Sequence, residues 1–198
     1  MKKWLIPLIV IIVLAIIGYK MTAGVNNTGV ELEENAKEAW SNVESSYQRR
    51  NDLIGNLVNT VKGAADFERG TLTDVIEARA KATSVNIDAS NLNANQIQQF
   101  QKAQSGVSSA LSKLLVSVER YPELKANQNF LQLQSQLEGT ENRINVARDR
   151  YNAAVTNYNT YIRKFPNNIF AGMFGFERME RYQADAGSEN APDVQFDF

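Results

Sequence analysis

Arg49, Arg50 and Asp52 form the charged cluster whose residue types and spacing most invite chemistry. Arg50 falls on an apolar seam at helical spacing, where a guanidinium must either pair or reach out to solvent. Two arginines beside one carboxylate could hold an anionic ligand or a peptide on the surface around Arg49 and Arg50. The expectation set against it is an ion pair of Arg50 with Glu119, Glu138 or Glu141 that fixes the register of packed helices.

Other chemistry is thin. The 198 residues include no histidine and no cysteine, which removes zinc sites, Ser-His-Asp and Cys-His nucleophile pairs and thiol redox chemistry in their usual forms. Gly63 and Gly70 have the wrong spacing for a phosphate-cradling loop, and Gly172-Met173-Phe174-Gly175 lacks a flanking strand. A hydrolase built on carboxylates alone would need two of them converging in a cleft, whereas neighbours such as Glu33 and Glu34 point in different directions on a helix. The expectation is a protein that is not an enzyme, with no catalytic residue, cofactor or metal. A net charge of −1 offers a phosphate backbone little attraction, so no nucleic-acid partner is expected.

The elements that carry these residues read as helices, since apolar positions recur at alternating steps of three and four. One stripe is Trp40, Val43, Tyr47, Arg50, Ile54, Leu57 and Val61. A second is Ile97, Phe100, Gln104, Val107, Leu111, Leu114, Val118 and Tyr121. The third runs Phe130, Leu133, Leu137, Thr140, Ile144, Ala147, Tyr151, Ala154, Tyr158, Tyr161 and Phe165. Capping chemistry sets the predicted boundaries: Thr28 with Glu31 and Asn93 with Gln96 have capping-box spacing. Gly70 and Thr71 mark a stop and restart, so 72–82 is either a short separate helix or a continuation of the first. Residues 84–93 read as a polar connection, Pro122 separates two helices, and Pro166-Asn167-Asn168 ends the last long one. The fold class is all-α: an N-terminal transmembrane helix followed by an elongated antiparallel bundle of three to four long helices, the longest about 50–60 Å.

The transmembrane expectation rests on Trp4, Leu5, Leu8, Ile9, Val10, Ile11, Ile12, Val13, Leu14, Ile16, Ile17 and Tyr19, in a run of about sixteen residues. A cleavable signal peptide has a similar basic start, but Met21-Thr22-Ala23 puts methionine where a small residue belongs, so a retained single-pass anchor is preferred. Trp4 and Tyr19 flank the run as interfacial residues do. Lys2 and Lys3 before it, with Glu31, Glu33 and Glu34 beyond, place the bundle on the extracytoplasmic side.

Three segments follow: an anchor and juxtamembrane linker over 1–27, a helical bundle over 28–166, and over 167–198 a short apolar segment with an acidic tail. In that segment Ile169, Phe170, Met173, Phe174 and Phe176 have helical spacing. They would cap the bundle core, lie in a bilayer surface or meet a partner, the internal cap being preferred because apolar segments usually pack at home. The partners expected are the lipid bilayer and either a second copy or other envelope proteins.

Several motifs together carry a family likeness. Asn35-Ala36-Lys37-Glu38-Ala39-Trp40, Tyr47-Gln48-Arg49-Arg50-Asn51-Asp52-Leu53-Ile54 and Val61-Lys62-Gly63 are joined by Glu77-Ala78-Arg79-Ala80 and Tyr121-Pro122-Glu123-Leu124-Lys125-Ala126. Further on come the run from Ala147-Arg148 through Tyr151-Asn152 to Tyr158-Asn159, Phe165-Pro166 and Ala171-Gly172-Met173-Phe174-Gly175-Phe176. Together they resemble the LemA family over nearly the whole chain. Gly55 departs from the pattern, which usually has proline after Leu-Ile. The resemblance implies a bacterial protein with one N-terminal transmembrane helix, a soluble four-helix bundle and no established activity or cofactor, some relatives being linked to organisation of internal membranes. It also implies an external N-terminus, opposite to the charge argument, which is retained.

Overall fold

The computed structural model describes residues 4–63, 68–85, 87 and 92–183. Lys2, Lys3 and the acidic tail beyond Gln183 lie outside them. Six helices appear in order: α1 (Leu5–Lys62), α2 (Arg69–Ser84), α3 (Ala94–Val118), α4 (Pro122–Lys125), α5 (Gln128–Arg163) and α6 (Asn167–Phe174), with no strand among the described residues.

The predicted start at Thr28 is absent: Thr28 and Glu31 lie inside α1, whose 58 residues carry the apolar run straight into the bundle. Propagating a helix adds one hydrogen bond for each residue fixed, so a capping residue inside a formed helix does not stop it. Thr22 instead turns its hydroxyl back to the Gly18 carbonyl. At about 1.5 Å per residue α1 is about 87 Å long, which exceeds the expected 50–60 Å because the apolar run and the first bundle helix are one element.

Other boundaries follow local chemistry. Asn93 and Gln96 form the full capping box at the start of α3. Residues 69–84 are a separate helix. Pro122 opens the single turn of α4, and Asn127 then caps α5 by accepting from the Asn129 and Phe130 amides. The last helix stops at Gly175, whose φ of 75° is the left-handed conformation glycine adopts without strain.

Cross-contacts give the directions. Gly24 meets Tyr161, Trp40 meets Tyr151 and Arg50 meets Glu141, so α5 runs antiparallel to α1. Phe100 lies beside Trp40, and Gln104 beside Arg50 further along, so α3 runs parallel to α1. The core divides along α1 into three clusters. A distal aliphatic one joins Ile54, Leu57 and Val61 to Val75, Val107, Leu114 and Leu137. A central aromatic one holds Trp40, Tyr47, Phe100 and Tyr151, and a small proximal one holds Tyr158, Ile162 and Ala171.

Every member of the first stripe is buried. The third drifts: Val155 and Ile162 are buried where Ala154 and Tyr161 were expected, while Phe165, 81% exposed, lies past the end of α5 at Arg163. An α-helix with 3.6 residues per turn slips by about 20° for each heptad against a strict seven-residue repeat, enough over the length of α5 to turn its end away from the seam.

Candidate functional site

The Arg49, Arg50 and Asp52 cluster is pulled apart by the helix that carries it. Arg50 is 2% exposed, whereas Arg49 and Asp52 sit on the exposed side of α1. The Arg50 guanidinium donates to Glu141 at 2.9 Å, to the Ser108 hydroxyl at 3.1 Å and to the Gln104 side chain at 2.6 Å, and lies 4.8 Å from the centre of the Tyr47 ring. Of the three carboxylates expected as partners, Glu141 is the one it reaches. Glu119 pairs with Lys125, and Glu138 accepts from Gln134. Arg50 therefore ties α1 to α3 and α5 at the junction of the distal and central clusters. A cavity of about 140 Å³ adjoins it, lined among others by Gln101, Asn145, Arg148 and Tyr182. Arg49 faces a different, open cleft with Ser45, Thr140 and Arg143.

The densest polar construction is one that stripes and charges do not reveal. After α6 the chain turns back as an irregular strap over 176–183 and lies along α5. Asn159 receives the Met179 amide at 3.0 Å and donates to the Met179 carbonyl at 2.8 Å. One heptad earlier, Asn152 does the same for Tyr182, at 2.8 and 3.0 Å. Two side-chain amides thus act as a substitute β-ladder for a strap whose backbone groups would otherwise lack partners. Between them the Tyr151 hydroxyl donates to the Glu180 carbonyl at 2.7 Å, and Gln101 and Arg148 donate to the Gln183 carbonyl. The Tyr182 ring stacks under the Arg148 guanidinium at 4.1 Å, and its hydroxyl is 2.7 Å from that of Tyr47.

Burial pushes the Tyr47 hydroxyl up from its ordinary value, with Tyr182 and Arg148 pulling the other way, and burial also pushes up Tyr151. Tyr158 rises to about 12, by burial first and then by the nearby Glu33 carboxylate. These phenols stay protonated at neutral pH and serve as clamps, not as bases. The one sequence signal that could have found the strap's seat is the Tyr-Asn pair repeated at 151–152 and 158–159.

The apolar set of 169–176 is split. Ala171 is buried and Phe176 is half-buried, its ring so close to α1 that a Cβ at Gly29 would lie 2.6 Å from it. Phe170 is also half-buried, whereas Ile169, Met173 and Phe174 are exposed. Residues of the apolar run in α1, Trp4 and Tyr19 included, touch nothing that shields them, and this helix is long and apolar enough to cross a membrane. No group of three or more Asp or Glu able to hold a metal occurs among the described residues.

A long apolar helix leading without a break into an all-α bundle defines a helical protein with one candidate membrane span. The chain belongs to the LemA family, whose model matches residues 39–196. It is similar to magnetosome protein MamQ 2 of Paramagnetospirillum magneticum, 29% identical over 196 aligned residues that cover 89% of this chain and 71% of the relative. MamQ of Magnetospirillum gryphiswaldense is 28% identical over 79% of this chain and 64% of its own length. Protein LemA of Metamycoplasma hominis is 23% identical over 84% of this chain and 72% of its own. Family and apolar helix together fit a membrane protein.

Proposed function

We propose that this chain is a non-enzymatic helical scaffold, held in the bacterial envelope by a single span, that associates with itself or with other envelope proteins and contributes to membrane organisation. The observation that carries this reading is the continuity of α1. One helix supplies both the apolar run and the wall of the bundle, so lateral forces on the rod pass to the bilayer without a hinge. Relatives named as magnetosome proteins support a role at a membrane. The charge reading of Lys2 and Lys3 puts the bundle outside the cytoplasm. Crosslinking in native membranes, with the size of the purified full-length chain in detergent, tests the scaffold. A defined oligomer or a reproducible crosslinked partner is expected, and a strict monomer with no partner refutes it. Labelling of Val116→Cys by an impermeant thiol reagent in intact cells tests the orientation.

The rival reading, a binding module around Arg49 and Arg50, draws on the cavity beside Arg50. The Glu141 carboxylate already answers the Arg50 charge, and Arg49 points elsewhere, which favours the register role. Loss of a detected anionic ligand in Arg50→Ala with the fold intact would restore the binding reading. Unfolding of that variant supports the register role.

A further inference from the structure

The exposed apolar residues just past α5 and on α6 lie at the end of the bundle nearest the apolar run of α1. Because α5 runs antiparallel to α1, the Tyr161 hydroxyl meets the Gly24 carbonyl, five residues past Tyr19, where the apolar run of α1 ends, and Phe165 follows in the turn just beyond the last residue of α5. From there α6 folds back along α1 and α5, with Ala171 packed against Tyr158 and Ile162 and the following Phe176 against Gly29, and leaves Phe165 81%, Ile169 61% and Met173 65% exposed. Ile169 and Met173 are four residues apart and so share one face of the helix. Arg163 and Lys164, both exposed, immediately precede Phe165, and Lys20, also exposed, follows the apolar run of α1.

An apolar face flanked by cations at the exit of a membrane span has the composition of an interfacial element, with side chains that enter the headgroup and acyl boundary and cations that meet lipid phosphates. We propose that Phe165, Ile169 and Met173 form a second bilayer contact, a foot on the same membrane that α1 crosses. This inference rests on the membrane-anchored reading above. A foot beside the span resists tilting of the rod, and the Phe176 ring seated on Gly29 couples the foot to α1 and, through residues 179–183, to the Asn152 and Asn159 clamps. Contact with a second copy would also cover these side chains. The bilayer is favoured because α5 gives way to this patch where Tyr161 meets Gly24, just past the end of the apolar run, and because Lys20, Arg163 and Lys164 supply exposed cations beside it.

The chain's lack of native thiols allows a clean test. Full-length Met173→Cys, Ile169→Cys, Leu14→Cys and Val116→Cys, each carrying a polarity-sensitive fluorophore, are reconstituted into phosphatidylcholine and phosphatidylglycerol vesicles containing lipid spin-labelled near the headgroup. The Met173 and Ile169 probes are expected to shift to the blue and lose about half or more of their emission to the lipid quencher, while the distal Val116 probe is unchanged. Quenching at Leu14 with Met173 and Ile169 behaving like Val116 overturns the foot and leaves the anchor standing. A blue shift at Met173 without lipid quenching means that protein covers the face, which also overturns it. An unquenched Leu14 probe refutes the anchored reading itself, and the foot with it.

Discussion

The distal and proximal halves of the bundle solve the same packing problem with different materials. Distally, α1, α2, α3 and α5 bring Leu57, Val61, Val75, Val107 and Leu114 together, and burial of aliphatic side chains holds four helices in place. Proximally, beyond the end of α2 and the start of α3, α1 and α5 would leave a flank of aromatic side chains wet. An irregular strap fills that flank, held by Asn152, Asn159, Tyr151 and Arg148 through its backbone and by Tyr182 through its ring. A core of regular helices cooperates as one unit, whereas a strap tied by a few polar clamps can open by itself. The half nearer the apolar run is therefore the half that can change state without unfolding the rod.

That contrast is broken most directly in the distal cluster. Leu57 is fully buried, and Leu57→Ala should cost about 2–5 kcal/mol through lost transfer energy and the cavity left behind. Thermal unfolding of the full-length chain in detergent, followed by circular dichroism, should show one transition moved to lower temperature. A variant that loses only part of its helix signal would mean that the distal half does not govern the whole.

Gly29→Leu attacks the other half. The new side chain collides with the Phe176 ring, whose edge-on contact with Tyr158 at 6.3 Å is lost. Crowding of this kind costs about 1–3 kcal/mol, against up to about 1 kcal/mol returned by better helix propensity. Hydrogen exchange should quicken over 167–183 and stay slow in α3. Gly24→Leu, with nothing within 4 Å of its Cβ, is the matched control and should leave both unchanged.

Asn159→Ala removes one clamp and strands the Met179 amide and carbonyl, at about 1–3 kcal/mol for the unpaired groups. Solvent can enter when the strap lifts, so the cost should appear as faster exchange around Met179 and a small change in Tm. A global loss as large as that of Leu57→Ala would show that the two halves are not separate units.

What the sequence discloses divides along the same line. Trp40 to Val61 in α1 and Ile97 to Val118 in α3 are legible because steps of three and four record one buried face directly, and every residue of the first stripe is buried. The unbroken α1 is not legible: a capping residue is only an opportunity to stop, and Thr28 and Glu31 meet no competing chain direction that would take it. Ala154 and Tyr161 are misplaced because a heptad count ignores the drift of an untwisted helix, and Phe165 because the helix ends two residues before it. The strap is hidden for a deeper reason. Its hydrogen bonds join Asn152 and Asn159 to backbone atoms, which have no letter in the sequence, and the seat takes shape only after α6 reverses the chain. Similarly, Ile87 in the expected polar connection is buried against the aromatic cluster, a contact set by tertiary folding and by no local pattern.

The smallest predicted effect probes the boundary between the halves by charge. Glu44 lies on α1 beside Trp40, and burial raises its carboxyl above its ordinary value of 4.5, with the Trp40 indole acting in the opposite direction. A carboxyl raised in the folded state is one whose charged form the fold disfavours. Above the folded value both states are ionised and Glu44 weakens the fold; below 4.5 both are protonated and the effect is gone. Glu44→Gln should therefore raise Tm slightly at pH 7, and the gap to the unaltered chain should close as pH falls toward 4.5. A gap that widens on acidification would mean that the carboxylate is stabilised by a partner in the folded protein. The aromatic cluster would then depend on charge in the way the strap depends on its clamps.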